Sequence, residues 1–546
     1  MTLSTFPETP ACRICEWADL EHLVKQQQPD IAELLADEPQ RVAQLSVKLG
    51  DCCLDLSRQS FDLQAWQALC DFARARDLPA ALKAWFYGEK VNKSEDRAAC
   101  HQLYRHAPDG DPQSFSAQAW QEAQWPRDAL DEHRRMEDIA AQIRAGDWLG
   151  AKGKPITTII NIGIGGSHLG VEAAYQALAP YRQPGRCAVF IANIDPLAHQ
   201  EALHGLDLAQ CALVLASKSG TTLESLANFS ALKQTFREQG IDDPTRHVFG
   251  VTAKSDALTR LGIPAQQIFR IPESVGGRFS LLSPIGFALA ATTQPQALND
   301  LRKGAAAMDA HTLQSPIERN MPVMLALASL WQHGLKGVQQ HAILAYNHGL
   351  RGIVQHLQQL VMESNGKRLA INGEPAPPSG EVIWGGECSN GQHSYFQLLH
   401  QGNRSQHCDL LLFARSLTGD QSMQDELNAM ALGQIQALTF GNQPGKGEGR
   451  AEDMQRASPG NIPLSLIYCN KLDAYTLGVL LALYENRTIA HAVLLGINPF
   501  DQWGVEHGKK CAGEMAQILQ GKASSEKLDA GLTQLLAQVN NWRDSG

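Results

Sequence analysis

No run of this 546-residue chain is long and apolar enough to cross a bilayer as a helix, because charges or prolines interrupt the strongest ones. A basic excess is also missing. Asp and Glu number 57 against 47 Lys and Arg, and the formal charge of -10 has the wrong sign for non-specific nucleic-acid binding. Met1-Thr2-Leu3-Ser4-Thr5-Phe6-Pro7 lacks the basic and then apolar regions of a signal peptide, so a cytosolic location is expected. Nor is there a disulfide framework: 12 cysteines in a chain this long read as reduced thiols. Cys12 and Cys15 form a C-x-x-C pair with no second pair to complete a zinc site, and the adjacent Cys52 and Cys53 cannot readily bridge each other. The 18 histidines include no H-x-H or H-E-x-x-H grouping, so no metal is expected. In a cytosolic chain, Asn486-Arg487-Thr488 is a chance match to a glycosylation acceptor. No internal repeat is visible.

What is present is the composition of a soluble globular protein, 44% hydrophobic. The length exceeds one ordinary core and predicts two packed lobes with extensions. Residues from about 18 to 120 read as mostly helical, with periodic apolar positions in Ile31–Leu49 and Leu63–Arg76. Ala129–Ile143 reads as a partly exposed helix. Short apolar runs then alternate with segments of helical length: Ile156–Ile164, Ala188–Asn193, Ala212–Ala216 and His247–Thr252. That alternation predicts a parallel sheet with helices on both faces. Strand candidates near Gly380–Trp384, Cys408–Phe413 and Leu464–Tyr468 predict a second α/β region. Gly441–Arg450 reads as a surface loop. The segment from about Lys522 reads as a helix docking back on the body. The expected organisation is a helical extension over residues 1–120, a first lobe with phosphate loops over 121–304, a second lobe over 305–510 and a helical tail over 511–546.

Asn161-Ile162-Gly163-Ile164-Gly165-Gly166-Ser167-His168-Leu169-Gly170 follows a predicted strand and opens a predicted helix. Its glycines allow close backbone approach to a ligand, and a helix N-terminus attracts an anion. A dinucleotide fingerprint starts at Gly163-x-Gly165, but its third glycine falls on His168. The nearest acidic residue past the next strand, Asp195, comes about ten positions late for a ribose contact. No Gly-Lys-Ser/Thr follows, so this is not a Walker loop. A second anion signal, Ser217-Lys218-Ser219-Gly220-Thr221-Thr222, follows the run Ala212–Ala216. Hydroxyls, backbone N–H groups and Lys218 can surround a phosphate there. Each segment alone is also compatible with a plain strand–helix turn. Two at the carboxyl ends of strands in one sheet point to a bound anion.

These segments resemble the sugar-isomerase domains, and further motifs resemble the phosphoglucose isomerase family over most of the chain. The motifs are Gly88-Glu89-Lys90-Val91-Asn92 with Arg97-Ala98, then Gly276-Gly277-Arg278-Phe279-Ser280, then Met362-Glu363-Ser364-Asn365-Gly366-Lys367. Asn390-Gly391-Gln392-His393 and Phe500-Asp501-Gln502-Trp503-Gly504-Val505-Glu506 with Lys509 complete the order. The resemblance implies an α/β fold of two sugar-isomerase lobes, each a mainly parallel sheet flanked by helices, with helical N- and C-terminal extensions. It also implies interconversion of glucose 6-phosphate and fructose 6-phosphate without a cofactor, in a homodimer whose subunits share active sites. Carried over, the phosphate lies on Gly166, Ser167, Ser217, Lys218, Ser219, Gly220, Thr221 and Thr222. Glu363 is the base with Gln359 nearby, Gln502 contacts the substrate, and His393 and Lys509 handle ring opening, the histidine coming from the neighbouring subunit. The chain departs from the family at His168, Ser219-Gly220, Leu360-Val361, Cys388-Ser389 and Gln443.

The chemistry fits these residue types. Moving a carbonyl between C1 and C2 needs a proton to leave one carbon and return to the other, and one carboxylate can serve both. If its segment is helical, Glu363 shares a face with Gln359, and burial against Leu360 or Met362 would suit a base. Arg278 follows two glycines and suits a developing enediolate. His393 titrates near neutrality. Lys509, seven residues after Gln502, shares a face with it if that stretch is helical. Competing readings are a non-catalytic phosphosugar-binding regulator and an isomerase also acting on mannose 6-phosphate. A glutamine-dependent phosphosugar enzyme would want a cysteine where Thr2 stands.

Overall fold

The computed structural model describes residues 6–26, 29–105, 125–442, 451–526 and 528–545. The expected loop Gly441–Arg450 therefore lies outside the described residues from position 443 onward, as does Gln443. The chain divides into two compact units, Met1–Pro499 and Phe500–Gly546.

Within the N-terminal stretch read as helical, Gly50-Asp51 turns the chain into an antiparallel hairpin of β1 (Ser46–Leu49) and β2 (Cys52–Arg58). This is a difference from the sequence reading. β2 finds its second neighbour more than 400 residues away, so local periodicity carries no trace of the pairing.

The alternating runs form a five-stranded parallel sheet. Its strands are β3 (Thr158–Ile162), β4 (Cys187–Ile191), β5 (Cys211–Ala216), β6 (Val248–Thr252) and β7 (Ile268–Arg270), in the order β4-β3-β5-β6-β7. β3 and β5 are buried along their whole length, as their Ile, Val and Leu content requires for strands covered on two faces. Ile160, Ile162, Leu213, Leu215, Phe229 and Leu232 share one core, each contributing roughly 1.5–3 kcal/mol by burial.

The second sheet adds β8 (Gln340–Ala345), β9 (Val382–Glu387), β10 (Gln406–Phe413) and β11 (Leu464–Cys469), in the order β1-β2-β11-β10-β8-β9. These four strands run parallel, and the hairpin joins antiparallel to β11. In the first sheet the order 4-3-5-6 starts at β3, steps to one side and returns to the other. The order 9-8-10-11 does the same from β8. The sequence shows no repeat, yet the two parallel cores share a topology. Each has a switch point, between β3 and β5 or between β8 and β10, where crossovers leave in opposite directions and open a crevice at the carboxyl edge.

A helix over Ala474–Leu495, buried at every position but Tyr475, spans the core of the first unit. Asp473 caps its start by accepting from Thr476 N. In the second unit a short turn, Trp503–Val505, precedes helices Glu506–Leu519 and Ala530–Asp544, the last capped by Asp529. Among the described residues, no helix is long and apolar enough to cross a membrane.

Candidate active site

The two anion signals leave the carboxyl ends of β3 and β5, the adjacent strands that border the first switch point. After β3, the buried Asn161 donates from Nδ2 to the Ser167 carbonyl (3.2 Å) and curls the glycine loop. Gly165 has φ +57°, and a Cβ on it would meet Gln359 Nε2 at 2.8 Å. A Cβ on Gly166 would fall 2.1 Å from the Gly277 carbonyl carbon. Glycine at these two positions lets the loop lie directly on the Arg278 turn and on the Gln359 side chain.

After β5, the chain forms a hydroxyl-lined cradle in front of helix Leu223–Glu238. Ser217 Oγ and Thr222 Oγ1 are 3.2 Å apart, and Thr221 Oγ1 donates to Ser219 Oγ (2.9 Å). Gly220, at φ +66°, closes the turn by donating to the Ser217 carbonyl (3.1 Å). Lys218 Nζ donates to the Glu273 carbonyl (2.8 Å), and the Glu273 carboxylate pairs with Arg97 at 2.7 Å and with Lys254. Burial, and then nearby Arg97, push the Lys218 ammonium down to about 8.

Gln359 and Glu363 come from the crossover between β8 and β9. Their segment, Gln358–Glu363, is a π-helical turn and not the regular helix that their spacing suggests. Such turns recur at functional sites. Gln359 Nε2 donates to Glu363 Oε2 (3.0 Å), and Arg278 Nη1 donates to the same oxygen (3.2 Å). The Glu363 side chain keeps 24% exposure while that of Arg278 keeps 2%. Leu360 is buried, whereas Met362 is 38% exposed. Arg278 is held from behind, donating from Nε to Ser364 Oγ (2.6 Å) and from Nη2 to the Pro499 carbonyl. A partly exposed carboxylate is thus gripped by an amide and a buried guanidinium, beside the glycine loop of the first sheet. Ser364 and the Pro499 carbonyl were not among the sequence candidates. Ser364 stands inside the Met362–Lys367 motif, which was the available signal.

His393 ends a short turn after β9 and is exposed. Among the described residues no hydrogen bond or ion pair holds its ring, and none joins it to Glu363 or Arg278. Gln502 and Lys509 belong to the second unit. Gln502 sits at φ -150° before the turn, and helix begins only at Glu506, so the two do not share a helical face. The non-helical backbone at Gln502 (φ -150°, ψ 46°) and the short turn Trp503–Val505 separate them. Lys509 is exposed and pairs with Glu506 at 2.7 Å. His168, at the helix start after the glycine loop, pairs with Glu172 at 3.1 Å.

One other group has the donors to be weighed as a metal site. His341, Glu381 and His407 are buried with donor atoms within 4.8 Å of one another. However, His341 turns Nδ1 to Glu381 (3.2 Å) and Nε2 to Asp409 (3.0 Å), and Arg487 also pairs with Glu381. Both His341 nitrogens face a carboxylate, and the pull of Asp409 and Glu381 raises the ring above its ordinary value despite burial. This donor set fits a proton better than an ion.

The sequence profile of the phosphoglucose isomerase family matches residues 55–536. The chain is 37% identical to the glucose-6-phosphate isomerase of Corynebacterium jeikeium, over 97% of its length and 98% of that protein's. It is 36% identical to that of an Anaeromyxobacter strain, over 98% and 99%. The fold is similar to the crystal structure of a glucose-6-phosphate isomerase from Chlamydia trachomatis, with a TM-score of 0.84, 28% identity and coverage of 97% of this chain and 100% of that one.

Proposed function

The chain belongs to the phosphoglucose isomerase family, and we propose that it interconverts glucose 6-phosphate and fructose 6-phosphate through a cis-enediol(ate), as in glycolysis and gluconeogenesis. The phosphate binds across the Gly166-Ser167 loop and the Ser217–Thr222 cradle, where hydroxyls and backbone N–H groups supply the donors that a negatively charged protein needs for an anionic substrate. Glu363 takes the proton from C2 of the aldose and returns it to C1. Arg278 holds the negative charge that develops on the enediolate oxygens, from a buried position where such charge is stabilised strongly. His393 and Lys509 serve ring opening. The observation that carries this reading is the shared contact of Gln359 and Arg278 on one oxygen of a partly exposed Glu363.

A homodimer with shared sites completes the reading. Its support is the exposed His393, which has no described bond to the Glu363 group in its own chain. Mixing inactive His393→Ala and Glu363→Gln chains restores activity if sites are shared; heterodimers that stay inactive would count against sharing. A cytosolic location is supported by the cysteines, all 12 of which are free thiols.

The test is a coupled assay of fructose 6-phosphate conversion to glucose 6-phosphate in the presence of a chelator. Turnover is expected, unchanged by the chelator. A purified chain that binds phosphosugar without turnover is instead a regulator on the same fold.

A further inference from the structure

We infer that Ser364 is a positioning residue for the isomerisation, acting on the reaction only through Arg278. The inference rests on the isomerase reading above and adds to it the part that aims its cation.

A guanidinium stabilises an enediolate only when its N–H groups point at the reacting oxygens, and a long arginine side chain has many rotamers in which they do not. In this site the aim is fixed from behind. The Gly277–Arg278 backbone lies directly against the glycine loop, where Gly166 admits it. Its Nε then donates to Ser364 Oγ at 2.6 Å and its Nη2 to the Pro499 carbonyl. With these edges pinned, Nη1 is directed at Glu363 Oε2. Ser364 is fully buried, with 0% exposure, and follows Glu363 directly in the chain. Two consecutive residues therefore take neighbouring edges of one guanidinium, the first by its carboxylate and the second by its hydroxyl.

The neighbouring residue fixes the pair to the core. Asn365, also at 0% exposure, donates from Nδ2 to the Thr488 carbonyl of the buried helix Ala474–Leu495 (3.2 Å). The Ser364 hydroxyl thus stands on a rigid base, sealed from solvent. When Glu363 leaves Arg278 to take a proton, the Ser364 and Pro499 contacts keep the guanidinium in place for the enediolate.

The test is a double-mutant cycle with full kinetics. Ser364→Ala is expected to lower kcat by about 10- to 100-fold, the scale of a small misplacement of a catalytic group, with KM changed less than about twofold. In an Arg278→Lys background the same change is expected to alter kcat by less than about twofold, because a lysine offers no Nε edge to Ser364. An anionic carboxylate analogue of the enediolate is expected to bind Ser364→Ala more weakly by the factor lost in kcat/KM, while a phosphosugar alcohol binds as before. Near wild-type turnover in Ser364→Ala overturns the proposal. So does an equal loss in both backgrounds, which is what a merely structural serine would give. If Ser364→Ala unfolds, Ser364→Thr, which keeps the oxygen, is expected to retain kcat within about threefold; loss of turnover in a folded threonine variant refutes the role. A wild-type chain without isomerase activity would refute the underlying reading instead, and the two failures are distinct.

Discussion

Two buried arginines in this chain each hold a glutamate, and the surroundings of the two pairs are opposite. Arg487 and Glu381 lie under the second sheet with side chains 1% and 0% exposed, beside His341 and Asp409. There every strong charge has a partner of opposite sign. Arg278 is as buried as Arg487, but its Glu363 keeps 24% exposure, and the neighbouring Gln359 lies against the glycine loop at the carboxyl edge of the first sheet. A closed pair has nothing left to offer a substrate, and its formation offsets the desolvation of the charges inside it. An open pair leaves the carboxylate free to exchange its partner for a proton on carbon. Burying the cation while exposing the base is the arrangement that proton transfer needs.

The comparison breaks most sharply at the open pair. Glu363→Gln is expected to lower turnover by at least about 10³-fold, the upper range of a lost general base, while phosphosugar binding and the thermal midpoint stay close to wild type. Retained turnover sinks the base assignment, and a collapse in stability makes the open pair structural after all. At the closed pair the expected result is reversed. Glu381→Gln leaves Arg487 and His341 underpaired and is expected to cost about 3–5 kcal/mol in urea unfolding, with turnover per folded molecule unchanged. A loss of turnover without loss of stability would erase the distinction between the two sites.

A smaller effect sharpens the comparison with pH. Burial alone would favour a neutral His341, but Asp409 and Glu381 together outweigh it and raise the ring to about 9. A folded-state value above the ordinary 6.5 contributes stability that is whole below that pH and is lost as pH rises through about 9. Unfolding measured from pH 6.5 to 9.5 should show this decline, and Glu381→Gln should flatten it. An identical slope in both proteins removes His341 from the account.

How much of this was legible in advance differs by element. β3, β5 and β6 announced themselves as apolar runs that end in glycine, serine or threonine. The run Gly380–Trp384 starts two residues before β9 and ends three residues before its end. β8 opens on Gln340-His341, whose polar character suits the buried ion group and hides the strand. β7 has three residues, too few for any period to show. The hairpin β1–β2 depends on β11, far away in the chain. At the site, the motifs named Glu363, Gln359 and Arg278. The π-helical turn, the Ser364 and Pro499 contacts and the break before Glu506 became visible only in three dimensions.

By itself, the sequence determined which chemistry was possible: glycines and hydroxyls for a phosphate, one glutamate, one arginine, and alternating runs for parallel sheets. Those features are local, because strand period, glycine freedom and side-chain type are properties of neighbouring residues. The tertiary structure alone decided that the loop after β3 lies on the Arg278 turn, that two unlike sequences share one strand order, and that one glutamate is open while another is sealed. Exposure and partnership depend on segments hundreds of residues apart, and no local pattern records them.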